Sequence, residues 1–347
     1  MTSAYITHPQ YLKHENYAYH PERPGRIQAV WDLFQKMDME KQLAYFQANP
    51  VTEADILRAH TNQHLSRVRE IKAQAEINGL AYFDADTYMN KHSYDAALLA
   101  AGALKDAVDL IFTDQVSNAL CAVRPPGHHA TPDHPMGFCL FNNVAIAARY
   151  AQSQYQVERV LIIDIDVHHG NGTQDIFYDD PSVLFISTHQ FPFYPGSGSM
   201  KEIGSGQGAS YTLNIPLAPA NGDENYLKIF DQLIYPKAKQ FKPEIVIVSA
   251  GFDAHWNDPL AMMGLSLPGY ARLTQKCKAL ADELCDGKII FAMEGGYDIN
   301  VLSHGMLNIA YVLQGKDELS DPFGLLDDAH EPDIDALIQE IAQLHQL

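Results

Sequence analysis

Six short runs of Val, Ile, Leu and Phe recur along the chain, at 118–123 (NALCAV), 159–167 (RVLIIDIDV), 183–188 (VLFIST), 210–217 (SYTLNIPL), 244–251 (EIVIVSAG) and 288–294 (KIIFAME). Each is of strand length, and most lack the in–out alternation of a half-exposed strand. Near-continuous apolar strands are buried on both faces, which requires a parallel sheet covered by helices. The intervening sequence supplies them: helical apolar spacing runs through 142–152, 225–241, 268–285 and 301–314, and residues 22–112 read as mostly helical. No low-complexity linker, charge block or internal repeat interrupts the pattern, so 1–347 is expected to form a single α/β domain with a mostly parallel central sheet. In such sheets ligands gather where the strands end. The polar motifs sit there: RPPGHH after 118–123, DVHHG after 159–167, GFDAH after 244–251 and EGGYD after 288–294.

The run 161–168 (LIIDIDVH) carries the strongest chemical signal. In an extended strand Asp164, Asp166 and His168 share one face, opposite Ile163, Ile165 and Val167. A buried strand does not tolerate those carboxylates without a cation or hydrogen-bonding partners. Asp166 and His168, nearest the open end, are the expected metal ligands. Asp164 lies about 6–7 Å deeper, as a supporting acceptor or the ligand of another cation. Asp253, just past the strand at 244–251, is the expected third ligand. One His and two Asp leave a coordination position open for water or substrate, as catalytic zinc requires, although carboxylates also suit Fe(II).

Two His-His pairs occur, at 128–129 and 168–169. With 16 histidines in 347 residues, chance alone gives roughly one such pair, so context has to carry the argument. His128 and His129 follow the rigid Arg124-Pro-Pro-Gly turn inside the long loop 124–141, where imidazoles beside a metal-activated water act as base and acid. His169 alternates away from His168 and is expected to pack or bond structurally, as are His255, His8, His14 and His20. Tyr297, after two glycines that permit a tight turn, is placed to donate to an oxyanion. A second long loop, 189–210, also exceeds ordinary connector length.

Composition narrows the function classes. The net charge of −19 argues against non-specific nucleic-acid binding and favours cationic partners such as lysine-rich peptides or polyamines. No apolar stretch reaches the ~18 residues of a membrane span, and the start MTSAYITHPQ lacks a signal-peptide pattern. The cysteines (Cys121, Cys139, Cys277, Cys285) are scattered, which points to reduced thiols and a cytoplasmic location.

Taken together, RPPGHHA, GFCLFNNVAIAA, DIDVHHGNGTQ, SAGFDAH and EGGY resemble the histone deacetylase superfamily, which shares its fold with arginases and acetylpolyamine amidohydrolases. The resemblance runs from HPERPGRI (20–27) to EGGYD (294–298), and HPERPGR, DADTYMN, GNGTQ and DPLA look more like its class II branch. It implies an arginase/deacetylase-like sheet of about eight strands. It also implies a zinc-dependent hydrolase that removes acetyl or other short acyl groups from acylated lysine or a related amine. One zinc would be held by Asp166, His168 and Asp253, with His128 and His129 as the acid/base pair and Tyr297 polarising the carbonyl. Asp164 would orient His128 and, with Ser187, bind potassium. Asn171 stands where class I enzymes carry an aspartate, so protonated His129 would be less stabilised, and which histidine is base stays open. Phe138, Phe193 and Tyr194 match the walls of the acyl-lysine tunnel, Gly137 a carbonyl that receives the substrate amide, and Arg26 an arginine of the internal channel.

The alternatives are an acetylpolyamine amidohydrolase, an arginase-like dinuclear hydrolase and a catalytically inactive acyl-amine binding module. Leu260 matches an acidic gatekeeper of polyamine-selective relatives but is apolar, although Asp84 or Asp86 could supply the charge. Arginases use extra aspartates for a second metal, whereas His169-Gly170 follows His168 and Ala254-His255 follows Asp253 here, and the intact ligands, histidines and Tyr297 speak against an inactive module. The resemblance leaves the oligomeric state open.

Overall fold

All six apolar runs are strands, and they pair in parallel. The computed structural model describes residues 2–16, 19–326 and 330–347. Its strands are β1 (Ser3–Thr7), β2 (Ala44–Gln47), β3 (Leu80–Tyr82), β4 (Tyr88–Asn90), β5 (Asn118–Cys121), β6 (Val160–Asp164), β7 (Val183–Gln190), β8 (Thr212–Leu217), β9 (Ile245–Ala250) and β10 (Ile289–Met293). Eight of them form one sheet in the order β2-β1-β5-β10-β9-β6-β7-β8, and every neighbouring pair is parallel. The other two, β3 and β4, form a small antiparallel pair.

The burial follows from the composition of the strands. β5, β6, β9 and β10 are buried at every position, as expected for strands covered on both faces. Two groups of helices flank the sheet: 25–36 with 299–313 and 267–284, and 93–112 with 143–155. The helix expected at 225–241 runs from Asp223 to Phe241 with a π turn at Phe230–Ile234. Among the described residues, no helix is long and apolar enough to cross a membrane.

Two local features differ from expectation. β1 and β2 are short pieces of four or five residues at the start of the chain, and β2, at the sheet edge, alternates half-buried with exposed positions. The paired part of β6 stops at Asp164; beyond it Ile165 N–H still donates to Ser249 O at 3.0 Å and Val167 O accepts from Gln190 N–H at 2.9 Å. The chain therefore turns through Asp166–His168 rather than running extended through them.

This topology sets up the site. β5, β10, β9 and β6 are consecutive in the sheet, so their carboxyl ends bring together the loops that begin at 122, 294, 251 and 165. Helix caps then fix how the chain leaves. Asn142 accepts from Ala145 N–H at the start of helix 143–155, and Asp298 accepts from Asn300 and Val301 N–H at the start of helix 299–313, directly after Tyr297.

Candidate active site

Asp166, His168 and Asp253 converge with ligand atoms within 4.8 Å of one another, all buried. His168 Nδ1 lies 3.2 Å from Asp166 Oδ1 and 3.1 Å from Asp253 Oδ2. The remaining carboxylate positions are anchored by backbone: Asp166 Oδ2 accepts from Gly295 N–H at 2.8 Å and Asp253 Oδ1 from Val167 N–H at 2.9 Å. A single imidazole nitrogen thus faces two buried carboxylates. It carries at most one proton, and two carboxylates in a dry site demand positive charge. Burial alone would lower the His168 pKa, but the bonds to Asp166 and Asp253 push it up to about 10. The donor set, two carboxylates and one imidazole, fits zinc or Fe(II). Gly251 and Gly295 make this packing possible: a Cβ would come within 2.0 Å of Asp166 Oδ2 at the first and 2.2 Å of Asp253 Oδ2 at the second.

The tandem histidines at 128–129 have unequal surroundings. Their rings are 3.9 Å apart. His128 Nδ1 sits 3.0 Å from Asp164 Oδ2, and its Nε2 is 3.9 Å from Asp166 Oδ1. Burial opposes its charge, but Asp166 and Asp164 outweigh that and raise its pKa to about 10. His129 Nδ1 instead bonds Asn171 Oδ1 at 2.8 Å. An amide oxygen can only accept, so Nδ1 carries the proton and Nε2 is left as an acceptor. Burial first, and then the charge of His128, hold His129 well below the ordinary histidine range. His129 lines the central cavity of about 260 Å³, together with Asp86, Gly137, Phe138, His168, Tyr194, Leu260 and Tyr297.

The remaining residues singled out in the sequence fall around this cavity or beneath it. Phe193 stacks on His168 at 5.3 Å and Tyr194 stands edge-on to His129 at 5.1 Å. Phe138, at φ +68, meets the Tyr297 ring at 6.0 Å. Gly137 presses on His129: a Cβ there would lie 2.4 Å from the imidazole. Its carbonyl takes the Cys139 thiol at 3.3 Å. Asp164 and Ser187 are direct partners across β6 and β7, but the Ser187 hydroxyl bonds His189 Nδ1 at 2.9 Å. His169 uses both nitrogens, on Ser197 at 2.8 Å and Gln174 at 3.1 Å, and burial pushes its pKa down to about 4. It packs beside the site and does not line the cavity.

Several charged groups that matter here were not singled out in the sequence. Glu22 is fully buried and holds two buried arginines, Arg124 through Nη2 at 2.7 Å and Arg26 at 3.3 Å. Arg26 in turn donates to the Gly296 carbonyl at 2.8 Å and to the Glu294 carbonyl, and its guanidinium lies 5.1 Å from the Tyr297 ring centre. Arg26 therefore braces the turn that carries Tyr297. Glu294 accepts from Gly127 N–H at 2.7 Å and from His128 N–H at 3.3 Å, which ties the histidine loop to β10. Burial raises its carboxyl to about 7. HPERPGRI contains Glu22, RPPGHHA contains Arg124 and EGGYD contains Glu294, yet nothing in a linear string says that Glu22 and Arg124 meet in the core.

The histone deacetylase domain family model matches residues 20–313. A protein described as "Probable deacetylase" from Archaeoglobus fulgidus is 38% identical over 91% of this chain and 88% of its own length. The chloroplastic histone deacetylase 10 of Oryza sativa subsp. japonica is 38% identical over 88% of this chain and 72% of its own. Among solved structures, the crystal structure of the HDA15 HD domain superposes with a TM-score of 0.89 at 36% identity, over 99% of this chain and 94% of that one.

Proposed function

The chain belongs to the histone deacetylase family and is a deacetylase; within that activity we propose that it is a zinc-dependent amidohydrolase that removes acetyl or short acyl groups from acylated lysine. The observation that carries the reading is the cavity lining: His168 of the Asp166–His168–Asp253 cluster shares one cavity with His129, Tyr297 and the rings of Phe138 and Tyr194. Asp166, His168 and Asp253 would hold the ion, which lowers the pKa of water and polarises an acyl carbonyl. Asp164 and Ser187, opposed across β6 and β7, would hold a structural potassium ion.

The chain's own groups divide the remaining work. Phe138, Phe193 and Tyr194 enclose the alkyl stem of the substrate and exclude water, and the Gly137 carbonyl accepts from its amide N–H. His129 Nε2, free to accept because Asn171 fixes the other nitrogen, takes the proton of the attacking water. His128 stays charged on Asp164 and adds positive potential beside the reacting carbonyl. The Tyr297 hydroxyl donates to the developing oxyanion. His129 then returns its proton to the leaving nitrogen, which releases a carboxylate and a free amine.

One observation favours a second reading. Asp86 lines the cavity and would meet the distal ammonium of an acetylated polyamine, whereas Leu260 on the same rim is apolar. Turnover of an acetyl-lysine peptide against acetylputrescine separates the two, and the peptide is expected to be preferred. The Tyr297→Phe variant is expected to lose about 10²–10³ in kcat, the cost of one oxyanion donor, with bound metal unchanged. Near-normal turnover of that variant sinks the assigned role.

A further inference from the structure

The loop 253–260 starts at a proposed metal ligand and ends at the mouth of the cavity, at Leu260. Asn257, Pro259 and Leu260 are exposed, yet Asp258 between them is only 6% exposed. Its carboxylate gathers three backbone donors from two separate loops. Oδ1 accepts from Leu260 N–H at 2.9 Å, whereas Oδ2 accepts from Tyr297 N–H at 2.7 Å and Asp298 N–H at 3.3 Å. A second tie runs beside it: Asn257 Nδ2 donates to Asp298 Oδ2 at 2.8 Å.

We infer that Asp258 is a positioning residue that sets the aim of the Tyr297 hydroxyl and couples it to the mouth of the cavity. The inference rests on the proposed role of Tyr297 as oxyanion donor. Among the described residues the Tyr297 hydroxyl has no hydrogen-bond partner of its own, so its direction follows from where its backbone and ring are held. Arg26 holds the peptide before it through the Gly296 carbonyl and lies against the ring. Phe138 meets the ring edge-on, at the tunnel wall. Asp258 supplies the only side-chain bond to the Tyr297 N–H among the described residues, and the same carboxylate holds Leu260 at the rim. Without it the Tyr297 N–H loses its side-chain acceptor, and of these ties between the two loops the Asn257–Asp298 bond remains. A displacement of about 1 Å at an oxyanion donor can cost on the order of 10² in rate.

The test is a double-mutant cycle on the zinc-loaded 347-residue chain. Steady-state and single-turnover rates on an acetyl-lysine peptide would be measured for wild type, Asp258→Ala, Asp258→Asn, Tyr297→Phe and the Asp258→Ala/Tyr297→Phe double variant, alongside metal content and melting temperature. Asp258→Ala is expected to lose roughly 10- to 100-fold in kcat, with less change in KM and with one metal still bound. In the Tyr297→Phe background the same change is expected to matter by no more than about twofold, because no hydroxyl is left to misplace. Asp258→Asn keeps the shape but turns amide protons toward backbone donors, and it is expected to fall between the two. It carries the test if the alanine variant folds poorly.

An equal loss in both backgrounds overturns the coupling, as does a change confined to KM or no change at all. If Tyr297→Phe is itself fully active, the proposed role of Tyr297 fails and this inference falls with it. If Tyr297→Phe is impaired but the Asp258 effect is additive, only the inference fails.

Discussion

Asp253→Asn is expected to abolish deacetylation and to cancel most of the stability that zinc adds to the protein. Asparagine keeps the oxygen that accepts from Val167 N–H but removes one of the two charges that face His168 Nδ1. The ion then loses a ligand, and with it transition-state charge stabilisation worth several kcal/mol. At about 1.4 kcal/mol per decade this amounts to a fall of on the order of 10³ or more in kcat/KM. Calorimetry should therefore show zinc stabilising wild type by mass action but stabilising Asp253→Asn far less. A variant that still binds zinc tightly and turns over would contradict the ligand assignment.

Replacing His129 by glutamine is expected to have the next largest effect, about 10²–10⁴ in kcat, the range for loss of a positioned proton-transfer group, with metal content unchanged. Asn171→Asp places a carboxylate on His129 Nδ1 where a neutral amide now sits, and a nearby negative charge raises a histidine pKa. A base must be unprotonated to act, so a higher pKa delays its activation. The acid limb of the kcat/KM profile should move to higher pH in Asn171→Asp. A limb that stays put, with the His129→Gln variant still active, would shift the base role to His128.

The sheet was legible because its central strands are uniformly apolar, and such strands have few alternatives to a doubly covered parallel sheet. β1 and β2 were not, because SAYIT and AYFQ are four or five residues long and give no periodicity to read. The proposed metal site was legible for a related reason. Asp166 and Asp253 stand at the ends of apolar strands, where a bare charge needs an explanation. Strand alternation put Asp164, Asp166 and His168 on one face, whereas the ladder ends at Asp164 and a turn brings Asp166 and His168 to Asp253.

What stayed hidden were the buried charges whose partners are distant in sequence. Glu22 bonds Arg124 across the core, and Asp258 reaches Tyr297 and Asp298 from another loop. An aspartate followed by proline reads as an ordinary turn, so nothing local marks Asp258 as buried. The two His-His pairs also look alike as letters. Their neighbours separate them: His169 is tied off by Ser197 and Gln174, whereas His129 keeps one nitrogen free at the cavity.

The central claim is that one ion on Asp166, His168 and Asp253 drives deacetylation. The most direct test is to strip the protein with a chelator, titrate zinc back, and follow acetate release from an acetyl-lysine peptide together with proton release on binding. The account predicts no turnover without metal, full recovery at one zinc per chain, and release of the proton that His168 holds between the two carboxylates. Turnover that survives chelation, or that needs two zinc ions per chain, would contradict it.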